Sequence, residues 1–263
     1  MVEILIWAAL IPSIVLIVLV LKQDKIESEP AGLLIKLFAL GMLSCVPASF
    51  VEGVGMVPID LIARSRIMNS MLTYLVLVPF AEECSKYVML RTTRNNPNFN
   101  YTFDGIVYGV MVGLGFATLE NILYVLTEGT YTIAIMRGIL SVPLHCTCGI
   151  FMGYYYGVAK GLEVKGLMGR ATFSRRLSIA IPWIIHGLYD FAVDRDSWAP
   201  LILGLIMTIV VFVVAARQVR FASKHDTPIY PTLSLPDPSF MDVRRSNDWN
   251  NKGYTPPAPT KRN

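Results

Sequence analysis

The amino-acid sequence predicts an all-α fold, a polytopic transmembrane helix bundle of about seven spans. Of the 263 residues, 54% are apolar and only 16% are charged, whereas an ordinary soluble domain has about 45–50% apolar and about 25% charged residues. The mean hydropathy is +0.51, and several apolar runs reach roughly 18 residues, the length that crosses a bilayer. This composition excludes a soluble globular enzyme. The 11% of aromatic residues excludes a disordered protein.

Each predicted span is an apolar run bounded by polar or charged residues. The first run has no basic residues before it and no small-residue cleavage site after it, so we expect a retained helix rather than a signal peptide. Pro47 predicts a kink in the second span. Gly105, Gly109 and Gly113 form a ridge on the fourth span that allows a neighbouring helix to approach closely. In order, the spans are predicted at residues 4–21, 32–57, 68–90, 104–126, 131–158, 177–192 and 199–216.

The distribution of basic residues predicts the orientation of the bundle. The loops after the first, third, fifth and seventh spans contain twelve lysines and arginines, whereas the alternate loops contain only Arg64, Arg66 and Arg195. Because basic loops remain in the cytoplasm, we expect a multi-pass cell-membrane protein with its N-terminus outside and its C-terminus in the cytoplasm. The twelve residues are Lys22, Lys25, Arg91, Arg94, Lys160, Lys165, Arg170, Arg175, Arg176, Arg217, Arg220 and Lys224.

The sequence divides into a membrane domain over residues 1–226 and a tail over residues 227–263. Seven prolines in the tail leave little room for a helix, so we expect a disordered cytoplasmic segment. The net charge of +4 is small and is spread over short loops, so no nucleic-acid partner is expected. All four cysteines lie in apolar runs, which argues against a secreted disulfide framework.

Ionisable residues in the third to sixth spans indicate a functional site. Each charge near the centre of a bilayer costs at least about 2.5–3.5 kcal/mol on insertion scales. Such residues cannot all face lipid, so we expect them to converge on a polar catalytic cavity inside the bundle, to pair with one another, or both. They are Glu82, Glu83, Lys86, Glu120, Arg137, His145, His186 and Asp190.

The spacing of these residues places several of them on shared helix faces. Glu82 and Lys86 are four residues apart, as are His186 and Asp190. Two adjacent carboxylates in a low dielectric resist being ionised together, so Glu82 and Glu83 suit general acid–base catalysis, in which one group accepts a proton and another donates it. The alternative is a buried ion pair with Lys86 that only fixes helix packing. Asp190 can orient His186 as the third group of a hydrolase orients its base.

Four ordered motifs resemble those of the PrsW family of membrane proteases. They are Glu82-Glu83-Cys84-Ser85-Lys86, Phe116 to Glu120-Asn121, His145, and His186 to Asp190, which fit the pattern EExxK, FxxxEN, H and HxxxD. The resemblance covers about residues 70–195. It implies catalytic roles for Glu82, Glu83, Glu120, His145, His186 and Asp190, with Lys86, Phe116 and Asn121 in support.

PrsW proteins resemble, more distantly, the CAAX prenyl proteases and the glutamic-type intramembrane proteases. That resemblance implies that Glu82 activates water and that His186 with Asp190 occupies the oxyanion side. The sequence departs from that pattern in three places. Lys86 comes one residue earlier than the expected arginine, Glu120 replaces a histidine and Asp190 replaces an asparagine. An ionised Asp190 cannot donate a hydrogen bond to an oxyanion, and His145 is left to supply the imidazole that Glu120 does not.

The resemblance implies an intramembrane endopeptidase that hydrolyses a peptide bond of a single-pass membrane protein, such as an anti-sigma factor in site-1 cleavage, with a Glu/His-activated water and no cofactor. A zinc-dependent enzyme with Glu82, Glu120, His145 and His186 as ligands is an alternative, because carboxylates and imidazoles bind zinc. The HExxH motif is absent. A second alternative is a membrane transporter or binding protein, since buried Glu, Asp and His chains also form proton pathways.

Overall fold

The computed structural model describes residues 2–128, 131–194 and 198–230, and every regular element in these ranges is helical. The predicted all-α class is therefore confirmed. A π-helical turn, Met71–Leu77, joins α4 to α5, and a short 3₁₀ turn, Arg91–Thr93, follows α5. The helices are α1 (Val2–Leu21), α2 (Ala31–Leu43), α3 (Cys45–Ile62), α4 (Arg66–Ser70), α5 (Val78–Leu90), α6 (Asp104–Glu128), α7 (Tyr131–Ile139), α8 (Ser141–Val164), α9 (Met168–Val193) and α10 (Trp198–Lys224).

Each predicted span coincides with a helix or with two consecutive helices. Within the described ranges, four helical segments are long and apolar enough to cross a membrane, and α1 contributes a shorter apolar stretch, Leu10–Leu21. The helices of the third and sixth predicted spans are not among the four, since their polar side chains lower their apolar character. The count of seven spans stays a prediction. The four segments are Ala31–Ile62, Asp104–Thr127, Ile135–Val164 and Trp198–Lys224.

The second span is interrupted at Ser44, three residues before the predicted kink at Pro47. Proline has no N–H to donate to the carbonyl of the residue four positions earlier, which here is Leu43, the last residue of α2. The Ser44 hydroxyl donates to the Gly41 carbonyl at 2.6 Å and closes the last turn of α2. The proline therefore acts through the carbonyl that it leaves without a donor, and the break appears one turn upstream.

Helices α6 and α8 approach each other through opposed glycines. A Cβ atom at Gly109 would overlap the carbonyl oxygen of Gly149, and one at Gly153 would overlap the carbonyl oxygen of Gly105. Further along, a Cβ at Gly113 would lie 2.8 Å from the carbonyl oxygen of His145. The predicted glycine ridge of α6 thus meets a second ridge on α8, and this contact positions the polar ends of the two helices side by side.

At one end of the bundle the loop after α1, the loop before α6, and the end of α10 with the residues that follow it contact one another. The Ser223 hydroxyl donates to the Gln23 carbonyl, and the Ile229 N–H donates to the Asn100 carbonyl at 2.7 Å. Residues 227–229 belong to the predicted tail, yet Ile229 is buried against this loop. Residues 231–263, for which we expect disorder, lie outside the described residues.

At the opposite end, the polar residues between α3 and the π-helical turn contact the end of α9. The Ser70 hydroxyl donates to a carboxylate oxygen of Asp194, and the Asn69 amide donates to Asp60 at 3.3 Å. Segments after the first, third and seventh predicted spans therefore meet at one end, and those after the second and sixth meet at the other.

We predict that Gly109→Val destabilises the protein by at least about 1–3 kcal/mol, the range for overpacked cores, because the new side chain must separate α6 from α8. Thermal unfolding in detergent measures the change. Gly53→Val is the matched control, since Gly53 is exposed and a Cβ there meets nothing within 4 Å. Equal midpoints for the two variants would contradict the glycine contact.

Candidate functional site

The ammonium group of Lys86 lies at the centre of the buried polar cluster. Its Nζ donates to Glu83 Oε1 at 2.8 Å and to Glu82 Oε2 at 3.0 Å, both on its own helix α5. It also lies 3.0 Å from Nδ1 of His145 on α8 and 3.8 Å above the ring of Phe116 on α6. Lys86 is 1% exposed. One side chain therefore joins three helices through charge-assisted hydrogen bonds and a cation–π contact.

His145 connects the Lys86 contacts to a second ion pair. A lysine ammonium has no acceptor, so Nδ1 of His145 accepts the hydrogen bond from Lys86, and Nε2 carries the ring proton. Nε2 then donates to Glu120 Oε2 at 2.9 Å. The other oxygen of Glu120 accepts from the Arg137 guanidinium at 2.8 Å, and Arg137 Nε donates to Asn121 Oδ1 at 2.8 Å. Both oxygens of Glu120 and both nitrogens of His145 are thereby engaged.

His186 on α9 is held between two carboxylates. Its Nδ1 lies 2.9 Å from Glu83 Oε1, and its Nε2 lies 3.3 Å from Asp190 Oδ2, one turn further along the helix. The imidazoles of His186 and His145 meet edge to face, with ring centroids 5.0 Å apart. The sequence motifs of α5, α8 and α9 are therefore in direct contact.

The close approach of α9 to α5 has a local cause in the sequence. Pro79 cannot donate to the carbonyl of Leu75, four residues earlier in the π-helical turn. The indole N–H of Trp183 on α9 donates to this carbonyl instead, at 3.2 Å. Gly187, next to His186, lies so close to Leu75 that a Cβ would fall 2.7 Å from the same carbonyl oxygen. Trp183 and Gly187 thus bring His186 within reach of Glu83.

A cavity of about 490 Å³ opens beside the cluster. The adjacent glutamates differ in their access to it, because Glu82 lies on its wall whereas Glu83 is fully buried among Lys86 and His186. Among the described residues, Oε2 of Glu82 is held by Lys86, and Oε1 makes no hydrogen bond. The ionisable side chains on the wall are those of Cys45, Glu52, Tyr74, Glu82, Tyr124, Glu120, Arg137, His145, His186, Tyr189, Asp190 and Asp194.

Two residues of this wall, Glu52 and Arg137, are not among the site residues that the sequence predicts. Glu52 lies inside the predicted span 32–57, and its position in an apolar run is the same signal that identified the other eight ionisable residues. Arg137 was not assigned a role in the site, yet it lies 2.8 Å from Glu120 and its guanidinium lies over the ring of Tyr124 at 3.8 Å. Its partner lies on another helix, so spacing within one helix could not reveal it.

Four of these side chains have the donor types of a zinc site. Glu82, Glu83, His145 and His186 each offer one ligand atom, and these atoms lie within 4.8 Å of one another. Glu120, which the sequence suggested as a ligand, is outside this group because Arg137 and His145 hold its two oxygens. The donor types fit zinc, but a positively charged side chain of the protein already lies among them. The Lys86 ammonium already lies within 3.0 Å of Glu82, Glu83 and His145.

Comparison with known proteins identifies the family. The sequence profile described as "PrsW family intramembrane metalloprotease" matches residues 29–216, which include all four motifs. The chain belongs to the PrsW protease family. Three relatives named "Protease PrsW" are similar to it. The protein of Geobacillus kaustophilus is 32% identical, over 85% of this chain and 94% of its own length. The protein of Bacillus subtilis is 32% identical, over 73% of this chain and 84% of its own length, and that of Halalkalibacterium halodurans is 30% identical, over 84% of this chain and 98% of its own length.

Membership of the PrsW family, together with the apolar helices, makes the chain a membrane-embedded protease. No solved structure matches the chain. The residues that carry the resemblance are those that meet around Lys86, so the family motifs and the polar cluster of the structure coincide.

We predict that Lys86→Met destabilises the PrsW fold by about 3–5 kcal/mol, because it leaves the carboxylates of Glu82 and Glu83 buried without a cation. The double variant Lys86→Met/Glu83→Gln should recover part of this loss, since it removes one of the unpaired charges. Arg94→Met is the control. It breaks a partly exposed pair with Glu163 and should cost less than about 1 kcal/mol. Denaturant unfolding in detergent compares the three, and equal losses for Lys86→Met and Arg94→Met would contradict a central role for Lys86.

Proposed function

We propose that the chain hydrolyses a peptide bond of a membrane-anchored, single-pass protein with a water molecule that Glu82 deprotonates. The observation that carries this proposal is the position of Glu82. It is the member of the adjacent glutamate pair that lies on the cavity wall, and one of its oxygens is held by Lys86 while the other makes no hydrogen bond with a described residue. A fixed carboxylate with one available oxygen is the geometry that a general base requires.

The proposed reaction proceeds through a tetrahedral intermediate. Glu82 Oε1 takes one proton from water, and the water oxygen bonds to the carbonyl carbon of the substrate. His186 donates its Nε2–H to the resulting oxyanion in place of the 3.3 Å contact with Asp190. The carbon–nitrogen bond then breaks, and Glu82 returns the proton to the leaving nitrogen. The products are a carboxylic acid and an amine, between which the remaining proton of the water passes to give a carboxylate and an ammonium group, and Glu82 is regenerated.

The remaining residues of the cluster act as positioning residues in this scheme. His186 acts as the doubly protonated imidazolium, because carboxylates only accept: its Nδ1–H donates to Glu83 at 2.9 Å, and its Nε2–H is left for the oxyanion. Glu120 is held by Arg137 and in turn fixes His145, whose Nδ1 accepts from Lys86. Lys86 keeps the adjacent glutamates at a fixed separation. Catalysis depends on such near-contact geometry, since small displacements of reacting groups lower the rate steeply.

Zinc-dependent hydrolysis is the second candidate, and two observations favour it. The family description names a metalloprotease, and the four donors Glu82, Glu83, His145 and His186 lie within 4.8 Å of one another. Zinc would supply an acidified water at neutral pH. The position of Lys86 favours the metal-free scheme, because an ammonium hydrogen-bonded to three of the four donors repels a divalent cation and competes for the same lone pairs.

The substrate class follows from the family resemblance, which implies cleavage of a membrane-bound anti-sigma factor. A peptide bond inside or next to the bilayer can reach the cavity because the residues of the wall come from apolar helices, among them α3, α6 and α8. A transporter would need the same buried charges, but the proteolytic relatives favour hydrolysis over transport.

The proposed topology has seven spans, with the N-terminus outside and the C-terminus in the cytoplasm. Two observations support it. The segments that follow the first, third and seventh predicted spans meet at one end of the bundle, as the Ile229–Asn100 contact exemplifies. Arg91, Arg94 and Arg175 also gather at a single cavity with Lys160, which agrees with one basic, cytoplasmic side.

We predict that Glu82→Gln lowers the cleavage rate by at least about 10²–10⁴-fold, the contribution of a general base. His186→Ala should lower it to a similar extent, because it removes the donor to the oxyanion. Co-expression with candidate single-pass substrates, followed by detection of the cleaved fragment, measures the rate. Asp60→Asn is the matched control, since Asp60 is an exposed acid away from the cavity. Wild-type cleavage by Glu82→Gln would contradict the proposed base.

The same assay separates the metal-free scheme from the zinc-dependent one. Purified protein should retain its activity in a strong chelator and contain no stoichiometric zinc. Loss of activity in the chelator, restored by zinc and accompanied by one zinc per chain, would overturn the metal-free scheme in favour of the zinc enzyme.

We predict that a thiol reagent that does not cross the membrane modifies a cysteine placed at Lys224 only after the cells are opened, because α10 ends on the cytoplasmic side. A cysteine placed at Arg64, in a loop on the opposite side, should react in intact cells. Both variants are made in a chain whose four native cysteines are replaced, since the native ones are free. The reverse labelling pattern would contradict the orientation.

A further inference from the structure

A second acidic cluster lies at the end of the bundle where the loop after α1 meets the start of α6. It consists of Asp24 and Glu29, which flank the turn into α2, and Asp104, the first residue of α6. One carboxylate oxygen from each lies within 4.8 Å of the others. Asp104 precedes Glu120 by 16 positions on the same helix, a distance of about 24 Å. The second cluster is therefore separate from the cavity of the proposed active site.

Two of the three carboxylates are held in the same asymmetric way. Glu29 Oε2 accepts a hydrogen bond from the Tyr108 hydroxyl at 2.8 Å, and Asp104 Oδ2 accepts from the backbone N–H groups of Asn100 and Tyr101 at 2.9 and 2.8 Å. These bonds fix the orientation of each carboxylate and leave its second oxygen free. The acids are thus pre-oriented by residues that take no part in the cluster itself.

The second oxygens have no hydrogen-bond partner although they are buried. They are Glu29 Oε1 and Asp104 Oδ1, joined by Asp24 Oδ2. Glu29 is 8% exposed and Asp104 is 1% exposed. Buried carboxylate oxygens are almost always hydrogen-bonded or bound to a cation. One oxygen from each of the three residues lies within 4.8 Å of the others, so they form a set of donors that one cation would satisfy.

Lys160 is a basic residue whose charge acts on Asp104. Its ammonium group donates to the Phe99 carbonyl at 2.8 Å and lies over the Phe99 ring. Asp226 adds a further negative charge near Asp24.

We propose that Asp24, Glu29 and Asp104 bind one hard divalent cation, Ca²⁺ or Mg²⁺. All the available donor atoms are carboxylate oxygens, which these cations prefer, and neither imidazole nor thiolate is present to favour zinc. The bound cation links the loop after α1 to the first turn of α6, the helix that carries Glu120. It stabilises the end of the bundle opposite to the Ser70–Asp194 contact and takes no part in hydrolysis.

The test uses the full chain, purified in detergent and stripped of metals with a chelator. At a concentration about 100-fold above the dissociation constant, Ca²⁺ or Mg²⁺ should raise the thermal midpoint by roughly 5–10 °C. Glu29→Gln should abolish this shift while keeping an amide oxygen for Tyr108, and Asp104→Asn should do the same. Asp60→Asn, an exposed acid elsewhere, should respond as the wild type does, and so should Glu82→Gln, whose site is remote.

Equilibrium dialysis of the wild-type chain with Ca²⁺ provides a readout that does not depend on the variants folding. About one ion per chain, displaced by excess Mg²⁺, supports the site, since both cations favour the same oxygen ligands. The absence of any shift or bound ion would overturn the proposal and leave the carboxyl groups sharing protons. Equal shifts in wild type, Glu29→Gln and Asp104→Asn would also overturn it, because the cation would then bind elsewhere. A wild-type thermal shift in Glu82→Gln would show that cation binding does not depend on the proposed catalytic base.

Discussion

The requirement to compensate the Lys86 ammonium organises the interior of this protein. A charge that is 1% exposed would be very unfavourable without partners, and its partners come from Glu82, Glu83 and His145. Each partner is bound to a further group, so the compensation extends to Glu120 and Arg137 on one side and to His186 and Asp190 on the other. The family motifs are therefore the successive members of one network of hydrogen bonds.

Such a network depends on helices that come unusually close together. Opposed glycines allow α6 and α8 to touch through their backbones, which places Phe116 and His145 with ring centroids 5.5 Å apart. Pro79 frees a carbonyl that Trp183 then binds, and Gly187 leaves room for α9 beside it. Residues without side-chain chemistry of their own thus determine whether the ionisable groups can meet. In a membrane, where apolar surfaces gain little from contact with one another, small residues are a principal means of close packing.

The sequence allowed much of the site to be predicted, because an ionisable residue in an apolar run is informative by itself. Glu82, His145 and His186 were identified in this way and meet in the structure as expected. The partners across helices were not predictable, since the contacts of Glu83 with His186 and of Arg137 with Glu120 join positions far apart in the chain. Spacing within one helix reveals shared faces but not which faces oppose each other.

In the fold, too, the helices were predictable from the local sequence, whereas contacts between distant segments were not. Each predicted span coincides with helices in the structure, because runs of apolar residues specify helices locally. The break at Ser44 lies one turn before Pro47, since the proline affects the carbonyl four residues upstream. The packing of residues 227–229 on the loop before α6 was missed, because a proline-rich composition describes the average of a segment and not its first residues.

The polar cluster around Lys86 and the acidic cluster of Asp24, Glu29 and Asp104 accommodate buried carboxylates in different ways. In the first, lysine, arginine and histidine side chains bind most of the carboxylate oxygens, Glu83 Oε2 has no partner, and Glu82, which has one available oxygen, lies on the wall of a cavity. In the second, neutral donors such as the Tyr108 hydroxyl hold one oxygen of each fixed acid, and the remaining oxygens face one another. A free oxygen beside a cavity suits proton transfer, whereas free oxygens that converge suit a cation. The chemistry of each cluster thus follows from where its unpaired oxygens point rather than from the number of its carboxylates.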